Sequence, residues 1–445
     1  MLKKLLNALL IFICILANGQ DLSSKHSDKM LKINDLVQLN RLSDAENLVL
    51  ELLPIQNLDQ NFYKNAEIVL DNAQIYATSI DNKMLSLNNL IKVYDLYDLN
   101  FSINKNRNTV KKALLLYDNK MSDNNTIFRL LDAKFKTNKT DFVNAKEINL
   151  YFKLFYESKF KSRIPENINE FIETYVLVNE QIFEKQNQIN IKLSNDRFSE
   201  NQIKNLQIEN LALELTNKNI QSYTDSYLSC ENLSDYCRSN LEKNANNDSW
   251  LKILTEKLFQ KNCFSNEIFN KLAFQSNKFN VTSKSCLYLG YSYLNNNQKE
   301  NALQFFNEAA DLEFNVVQKA NIYYTIATNV FGINNKQQSV NYLEKAIATN
   351  NKFGLPYIYL AELYKNCGEE CFKNDFEIKA LNLLIFETYK KAIIADSDLE
   401  KQIKNLMIET KKNTPNNLDI KKAKMVGKTI TIGCWINKSI EIPRK

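Results

Sequence analysis

The chain has 445 residues, of which 44% are hydrophobic and 11% aromatic, so it is too apolar to be disordered and long enough to bury a large core. It contains seven glycines and five prolines, which is too little turn chemistry for a mainly β protein and favours helices. The formal net charge of +6 is small for this length, and no basic segment carries interleaved aromatic residues, so nothing supports nucleic-acid binding.

The first residues have the form of a secretory signal peptide. Lys3 and Lys4 precede an apolar stretch that runs to Ala17, and small residues before Gln20 provide a cleavage site. The apolar stretch is shorter than the roughly 20 residues that a transmembrane helix needs. We predict that residues 1–19 are cleaved, that the chain is secreted across the inner membrane, and that the mature protein has no transmembrane segment.

Residues 20–205 have the pattern of an N-terminal helical region with degenerate repeats. Apolar residues recur there at intervals of three and four, as on one face of a helix. The predicted helical runs are Lys64 to Tyr76, Lys83 to Tyr97, Asn108 to Asp118, Asn144 to Tyr156, Asn167 to Lys185 and Ser199 to Cys230. Residues 206–282 are predicted to form a further helical region that leads into clearer repeats.

Residues 283–398 carry a pattern of small and large apolar residues that occurs three times on successive helix pairs. The positions are Leu289, Gly290, Tyr293, Ala302, Phe306 and Ala309, then Ile326, Ala327, Val330, Ser339, Leu343 and Ala346, and finally Leu360, Ala361, Tyr364, Ile385, Tyr389 and Ala392. Twelve extra residues separate the two helices of the third copy. This pattern resembles the tetratricopeptide repeat (TPR), which implies an all-α, TPR-like helical-repeat solenoid.

Residues 399–445 are predicted to contain a last helix and a small β-hairpin. From Lys428 to Ile442 apolar residues alternate with polar ones, with a turn at Asn437-Lys438. A lone hairpin is barely stable in water, so we expect it to pack on the last repeat helices.

Four features occur in one order: Cys230-Glu231-Asn232-Leu233, Lys261-Asn262-Cys263, the repeats, and a closing Gly433-Cys434-Trp435-Ile436. Over about residues 220–445 this order resembles a largely uncharacterised family of exported tetratricopeptide proteins from Bacteroidota. The resemblance implies a periplasmic or outer-membrane-associated protein of a Gram-negative bacterium. The resemblance implies an architecture and a location, but no particular activity.

Seven cysteines remain after removal of the signal peptide, and export predicts that they are partly oxidised. The family resemblance implies a disulfide between Cys230 and Cys263. The sequence leaves two further pairings open, Cys367 with Cys371 or Cys367 with Cys434. A zinc site is not expected, because the chain has one histidine and lacks paired Cys-x-x-Cys motifs.

The resemblance to tetratricopeptide repeats also implies a concave groove, lined by the first helices of successive repeats. The residues placed in this groove are Leu287, Tyr291, Leu294, Asn295, Asn321, Tyr324, Thr328, Phe331, Ile358, Glu362, Lys365 and Asn366. Asparagine side chains bond the backbone of an extended peptide, and tyrosine rings supply contact area at a low cost in entropy.

No catalytic motif is present in the sequence. The single histidine, His26, follows the predicted cleavage site closely, and neither a phosphate-binding glycine loop nor a Gly-x-Ser-x-Gly motif occurs. We predict that the protein is not an enzyme, needs no cofactor or metal, and binds a peptide or helix of another envelope protein as a scaffold or adaptor. The alternative is a glycan- or nutrient-binding envelope protein, which two tryptophans and the lack of a lipoprotein box make less favoured.

Overall fold

The computed structural model describes residues 26–55, 58–101, 107–161, 167–194 and 198–444. These parts are mostly helical and end in a short antiparallel hairpin, which confirms the predicted all-α fold with a small C-terminal β-hairpin. The chain divides into two compact units, and the boundary between them in the sequence lies between Ser226 and Tyr227. The described helices include none that combines the length and the apolar character needed to cross a membrane. The predicted signal peptide lies outside the described residues.

The first unit is a series of packed helices. They are α1 (26–38), α2 (Leu42–Leu52), α3 (Gln60–Ile75), α4 (Ile80–Asn100), α5 (Asn108–Asp118), α6 (Asn124–Asn138), α7 (Ala145–Lys159), α8 (Ile168–Leu193) and α9 (Glu200–Thr224). A 3-10 turn, Lys139–Asp141, separates α6 from α7, and α7 packs on both α6 and α9. The boundary predicted between residues 205 and 206 falls within α9.

Helix α6 has no counterpart among the predicted helical runs. Its polar residues, which include asparagines at both ends, obscure the apolar face in the sequence. Ile127, Leu131 and Phe135 stand four residues apart and are buried, so this face does pack into the core. Ring contacts continue the core into α7, where Tyr151 stacks on Phe135 with 4.2 Å between ring centroids.

Most helices begin at a polar side chain that caps the backbone. In each case an asparagine, aspartate, serine or threonine oxygen accepts a hydrogen bond from a backbone N–H two or three residues further on. These residues are Asp59, Ser79, Asp123, Asn144, Asn167, Ser199, Ser229, Asn247, Asn266, Thr282, Asn315, Asn335, Asn374 and Asn416. Asparagine also replaces glycine in turns, since Asn40, Asn262, Asn297 and Asn437 have positive φ. This use of asparagine explains how a glycine-poor chain forms so many helix ends.

The second unit continues as helix pairs. Its helices are α10 (Cys230–Asn244), α11 (Asp248–Gln260), α12 (Glu267–Phe279), α13 (Ser283–Asn295), α14 (Lys299–Leu312), α15 (Val316–Thr325), α16 (Lys336–Thr349), α17 (Leu355–Lys365), α18 (Asp375–Ala395), α19 (Glu400–Lys412) and α20 (Asn417–Lys422). A π-helical segment, Ile326–Phe331, extends α15. Short 3-10 turns occupy Gly332–Asn335, Glu369–Cys371 and Ser397–Leu399. The three predicted repeats are the pairs α13–α14, α15–α16 and α17–α18, and α11–α12 is a fourth pair that the sequence analysis did not identify.

The repeat pairs pack through small residues, as the pattern predicts. A β-carbon at Gly290 would lie 2.5 Å from Cδ1 of Phe306, so glycine is what lets α13 approach α14 this closely. Ala302 and Phe306 are fully buried in the same contact. In the next pair Ser339 takes the place of Ala302, and its hydroxyl donates to the carbonyl of Ala327 at 2.9 Å. The spacing of these residues therefore produces TPR-like helix pairs.

The third repeat differs from its prediction in one respect. Helix α18 begins at Asp375, well before Ile385, where the sequence pattern resumes. Most of the predicted insertion is therefore helix, and the connection between α17 and α18 is limited to residues 366–374. The C-terminal hairpin packs on α18.

The hairpin consists of β1 (Thr429–Ile432) and β2 (Lys438–Glu441). Ile430 pairs with Ile440 on the apolar face, while Thr431 and Ser439 share a hydrogen bond of 2.8 Å on the other face. Ile432, Ile436 and Ile442 are buried, as expected for a hairpin that packs on the repeats. The predicted turn at Asn437-Lys438 is wrong, because Lys438 belongs to β2 and residues 433–437 form the connection.

Two disulfides cross-link the second unit. Cys230 is bonded to Cys263, as the family resemblance implies, and Cys371 is bonded to Cys434. Both pairings that the sequence left open for Cys367 are therefore wrong. Cys367 is buried at the end of α17, and it is the 3-10 turn after it that brings Cys371 to the hairpin connection.

Candidate functional site

The residues predicted to line a groove lie on three first helices, namely α13, α15 with its π-helical extension, and α17. We call the surface that these twelve residues form the first-helix face. Its exposed members are Asn295, Asn321, Glu362, Lys365 and Asn366. Its half-buried members are Leu287, Tyr291, Leu294, Tyr324, Thr328, Phe331 and Ile358. Each of the twelve therefore reaches solvent to some degree.

At the α13 end of the first-helix face, two residues contact neighbouring parts of the second unit. The Tyr291 ring lies 4.9 Å from that of Phe264, 5.1 Å from Phe259 and 5.3 Å from Phe306, between centroids. The side-chain amide of Asn295 donates to the carbonyl of Phe264 at 2.8 Å. Tyr291 and Asn295 thus tie α13 to the connection between α11 and α12.

A carboxylate that the sequence analysis did not single out joins α11 to α13. Glu256 accepts a hydrogen bond from the Tyr288 hydroxyl at 2.5 Å and forms an ion pair with Lys284 at 2.8 Å. Burial raises the pKa of Glu256, but the Lys284 charge and the hydrogen bonds from Lys284, Tyr288 and Gln260 outweigh it, so this pKa lies below its ordinary value. No local motif marks the contact in the sequence, because its members lie on successive helix pairs.

We expect Glu256→Gln to lower the free energy of unfolding of the second unit by about 1–2 kcal/mol at neutral pH, because the charged acceptor is lost. A depressed folded-state pKa adds stability above the ordinary pKa of 4.5, and this stability is lost as the pH falls through the folded value. In urea titrations the difference between wild type and variant should therefore shrink between neutral pH and about pH 3. The control is Glu300→Gln, at an exposed glutamate of α14. A difference that is independent of pH would contradict this account.

The α15–α17 end of the first-helix face is an aromatic cluster beside a carboxylate. The Tyr324 ring lies 6.4 Å from that of Tyr359 and 5.4 Å from that of Phe353, both edge to face. Glu362 follows Tyr359 by one helical turn. Burial, and then the Glu362 charge, raises the pKa of both Tyr324 and Tyr359, so their hydroxyls stay protonated at neutral pH. Phe353 and Tyr359 are not among the residues predicted for this face, although the position of Tyr359, three residues before Glu362, is a signal that could have identified it.

The π-helical segment carries two residues of the first-helix face, Thr328 and Phe331. A π turn is wider than an α turn, so residues after it take a different angular position on the helix. Phe331, the last residue of the segment, stacks on Tyr342 of α16, with 5.6 Å between ring centroids. The Thr328 hydroxyl donates to the carbonyl of Tyr324 at 2.9 Å. The segment ends at Gly332, whose φ of 54° favours glycine.

Lys365 and Asn366 lie at the end of α17, where the Asn366 amide donates to the carbonyl of Glu362 at 2.8 Å.

Within the described ranges, no group of three or more histidine, cysteine, aspartate or glutamate side chains is arranged to hold a metal ion. His26 lies in α1 of the first unit. The first-helix face offers aromatic and aliphatic side chains, amides, the Glu362 carboxylate and the Lys365 ammonium group, which can contact and hydrogen-bond another chain.

No protein-family model matches the chain, and no curated protein matches it either. Among solved structures, it is similar to the APC/C hetero-tetramer Cut9–Hcn1, with 13% identity, 86% of this chain and 76% of that chain covered, and a TM-score of 0.30. It is also similar to yeast Tom70, with 12% identity, coverage of 88% and 99%, and a TM-score of 0.21. The Naa15/Naa10 structure bound to HypK-THB gives 16% identity, coverage of 87% and 62%, and a TM-score of 0.22. Because these TM-scores lie below 0.5, the TPR-like character of the fold rests on the helix pairs of this chain.

Proposed function

We propose that this chain is a non-catalytic scaffold or adaptor of a bacterial cell envelope, which binds a peptide or a helix of another envelope protein across the first-helix face. The observation that carries the proposal is the accessibility of this face, whose twelve residues all reach solvent on packed helix pairs. Stacked helix pairs present extended binding surfaces of this kind.

Location in the envelope is part of the same proposal. The predicted signal peptide motivates it, and the two disulfides of the second unit support it, since disulfides persist in oxidising compartments such as the bacterial periplasm. The resemblance to exported proteins of Bacteroidota favours the same location.

Site-specific photo-crosslinking in the native organism tests the proposal. A photoreactive amino acid replaces Asn321, which is exposed on α15 beside the aromatic cluster and whose loss leaves Tyr324 intact. We expect one reproducible protein adduct, identified by mass spectrometry, because a bound segment would pass within reach of this position. The matched control carries the same probe at Gln304, an exposed residue of the second helix α14, and should give no such adduct. A folded, abundant protein that yields no adduct at Asn321, or the same adducts at both positions, would contradict binding across this face.

A further inference from the structure

The carboxylate of Glu362 is an uncompensated charge in the first-helix face. Elsewhere in the second unit, Glu256, Glu344 and Asp419 each pair with a lysine within 4 Å. Within the described ranges the Glu362 carboxylate forms no ion pair or hydrogen bond, and only the Glu362 backbone carbonyl accepts one, from Asn366. A negative charge is therefore held at the surface without a counter-ion from the described parts of the chain.

Three tyrosines interact electrostatically with this carboxylate, and Tyr359 lies one helical turn before it on α17. Tyr324 and Tyr359 form the aromatic contact described above, and Tyr389 of α18 is 2% exposed. The Glu362 charge helps to raise the pKa of each of them, after the effect of burial.

The backbone beside the cluster is also unusual. The π-helical segment begins two residues after Tyr324, and the Tyr359 hydroxyl lies 3.9 Å from the position of a β-carbon at Gly332, where the segment ends. Single π turns inside α-helices occur frequently at functional sites. The aromatic cluster and the local irregularity of α15 thus coincide.

We propose that Tyr324, Tyr359 and Glu362 form a binding site for a positively charged side chain, lysine or arginine, of the segment that this protein binds. The inference rests on the proposed function and names the chemistry of the partner. Faces of tyrosine rings attract cations, and a carboxylate adds a charge-assisted hydrogen bond. Because the hydroxyls of Tyr324 and Tyr359 are neutral, Glu362 is the one charged residue among the three that form this binding site. Charge complementarity therefore selects a basic segment over an acidic or purely apolar one.

The test begins with randomised peptides of about a dozen residues, displayed on phage and selected on the purified protein and on its Glu362→Gln variant. We expect the wild type to enrich sequences that share a lysine or arginine, and the variant to lose this preference. Enriched peptides without a basic residue would overturn the inference and leave the proposed function standing. No enrichment on the wild type would overturn both.

The selected peptide is then used in a double-mutant cycle. Replacement of its basic residue by norleucine, or Glu362→Gln in the protein, should each weaken binding about tenfold or more, because each removes a charge-assisted hydrogen bond. Combining the two changes should cost little more than either alone. Glu300→Gln removes the same charge from α14 and should change affinity less than about twofold. Independent, multiplicative losses in the cycle would show that the basic residue binds elsewhere and would overturn the assignment.

Discussion

Replacement of both Cys371 and Cys434 by alanine should lower the free energy of unfolding of the second unit by about 4 kcal/mol, which is the stabilisation expected for a cross-link of this loop length. The two cysteines are 63 residues apart in the sequence, so their disulfide restricts a long segment of the unfolded chain. The bond also attaches the hairpin to the third repeat, and a hairpin of this size is not stable alone. Loss of the disulfide should therefore loosen β1 and β2 before the rest of the unit unfolds.

Urea titration followed by tryptophan fluorescence measures this effect. Both tryptophans of the chain, Trp250 and Trp435, lie in the second unit, and Trp435 belongs to the hairpin connection, 6.0 Å from the ring of Tyr364. The matched control is the double alanine variant of Cys230 and Cys263, which should destabilise the unit and leave backbone hydrogen exchange in the hairpin slow. If reduction with dithiothreitol left the difference between the wild type and the Cys371/Cys434 variant unchanged, side-chain packing and not the cross-link would be its cause.

A leucine at position 290 should destabilise the second unit by about 3 kcal/mol, since it overpacks a fully buried contact. The added side chain would meet the Phe306 ring, three of whose carbons lie within 2.9 Å of the position of a β-carbon. Glycine is a poor helix former, and leucine would gain about 1 kcal/mol of helix propensity. The steric cost is larger because Phe306 is completely buried, so that its ring can move only by displacing other core side chains.

A compensating substitution separates this steric effect from a general loss of stability. Gly290→Leu combined with Phe306→Ala restores the volume shared by α13 and α14, so the double variant should be more stable than the sum of the single changes predicts. Urea unfolding, followed by tryptophan fluorescence, measures the free energy of unfolding of each variant. Additive losses would show that Gly290 and Phe306 do not form the contact that closes the pair.

The helix pairs could be predicted from the sequence because the contacts that form them recur at short, fixed intervals. Gly290, Ala302 and Phe306 lie within one repeat, and their sizes alone define how two adjacent helices fit. The same reasoning applied to Ile326, Ala327 and Ser339 placed the second pair correctly. Where the pattern weakens, as in α6 and in the α11–α12 pair, the helices still form, but polar residues and irregular spacing hide their packing face.

Contacts between distant parts of the chain could not be predicted in this way. Cys367 and Cys371 stand one turn apart, and the geometry of the 3-10 turn at Glu369–Cys371 decides which of them meets Cys434. The contact between Glu256 and Tyr288 likewise joins separate helix pairs. On the first-helix face, the sequence placed Tyr324 and Glu362 at the surface. The contact of Tyr324 with Phe353 depends on the connection before α17, and the stacking of Phe331 on Tyr342 joins two different helices, so neither could be predicted from spacing.

The π-helical segment has a consequence for length variation in this protein. Deletion of one residue from an α-helix rotates every later side chain by about 100°, which normally destroys the packing of the helix. Between Ile326 and Phe331 one residue is already in excess of an α-helical ladder, so a shortened chain would regain regular hydrogen bonds while both flanks keep their orientation. A variant of this chain that lacks one residue between Ile326 and Phe331 should therefore retain the fold.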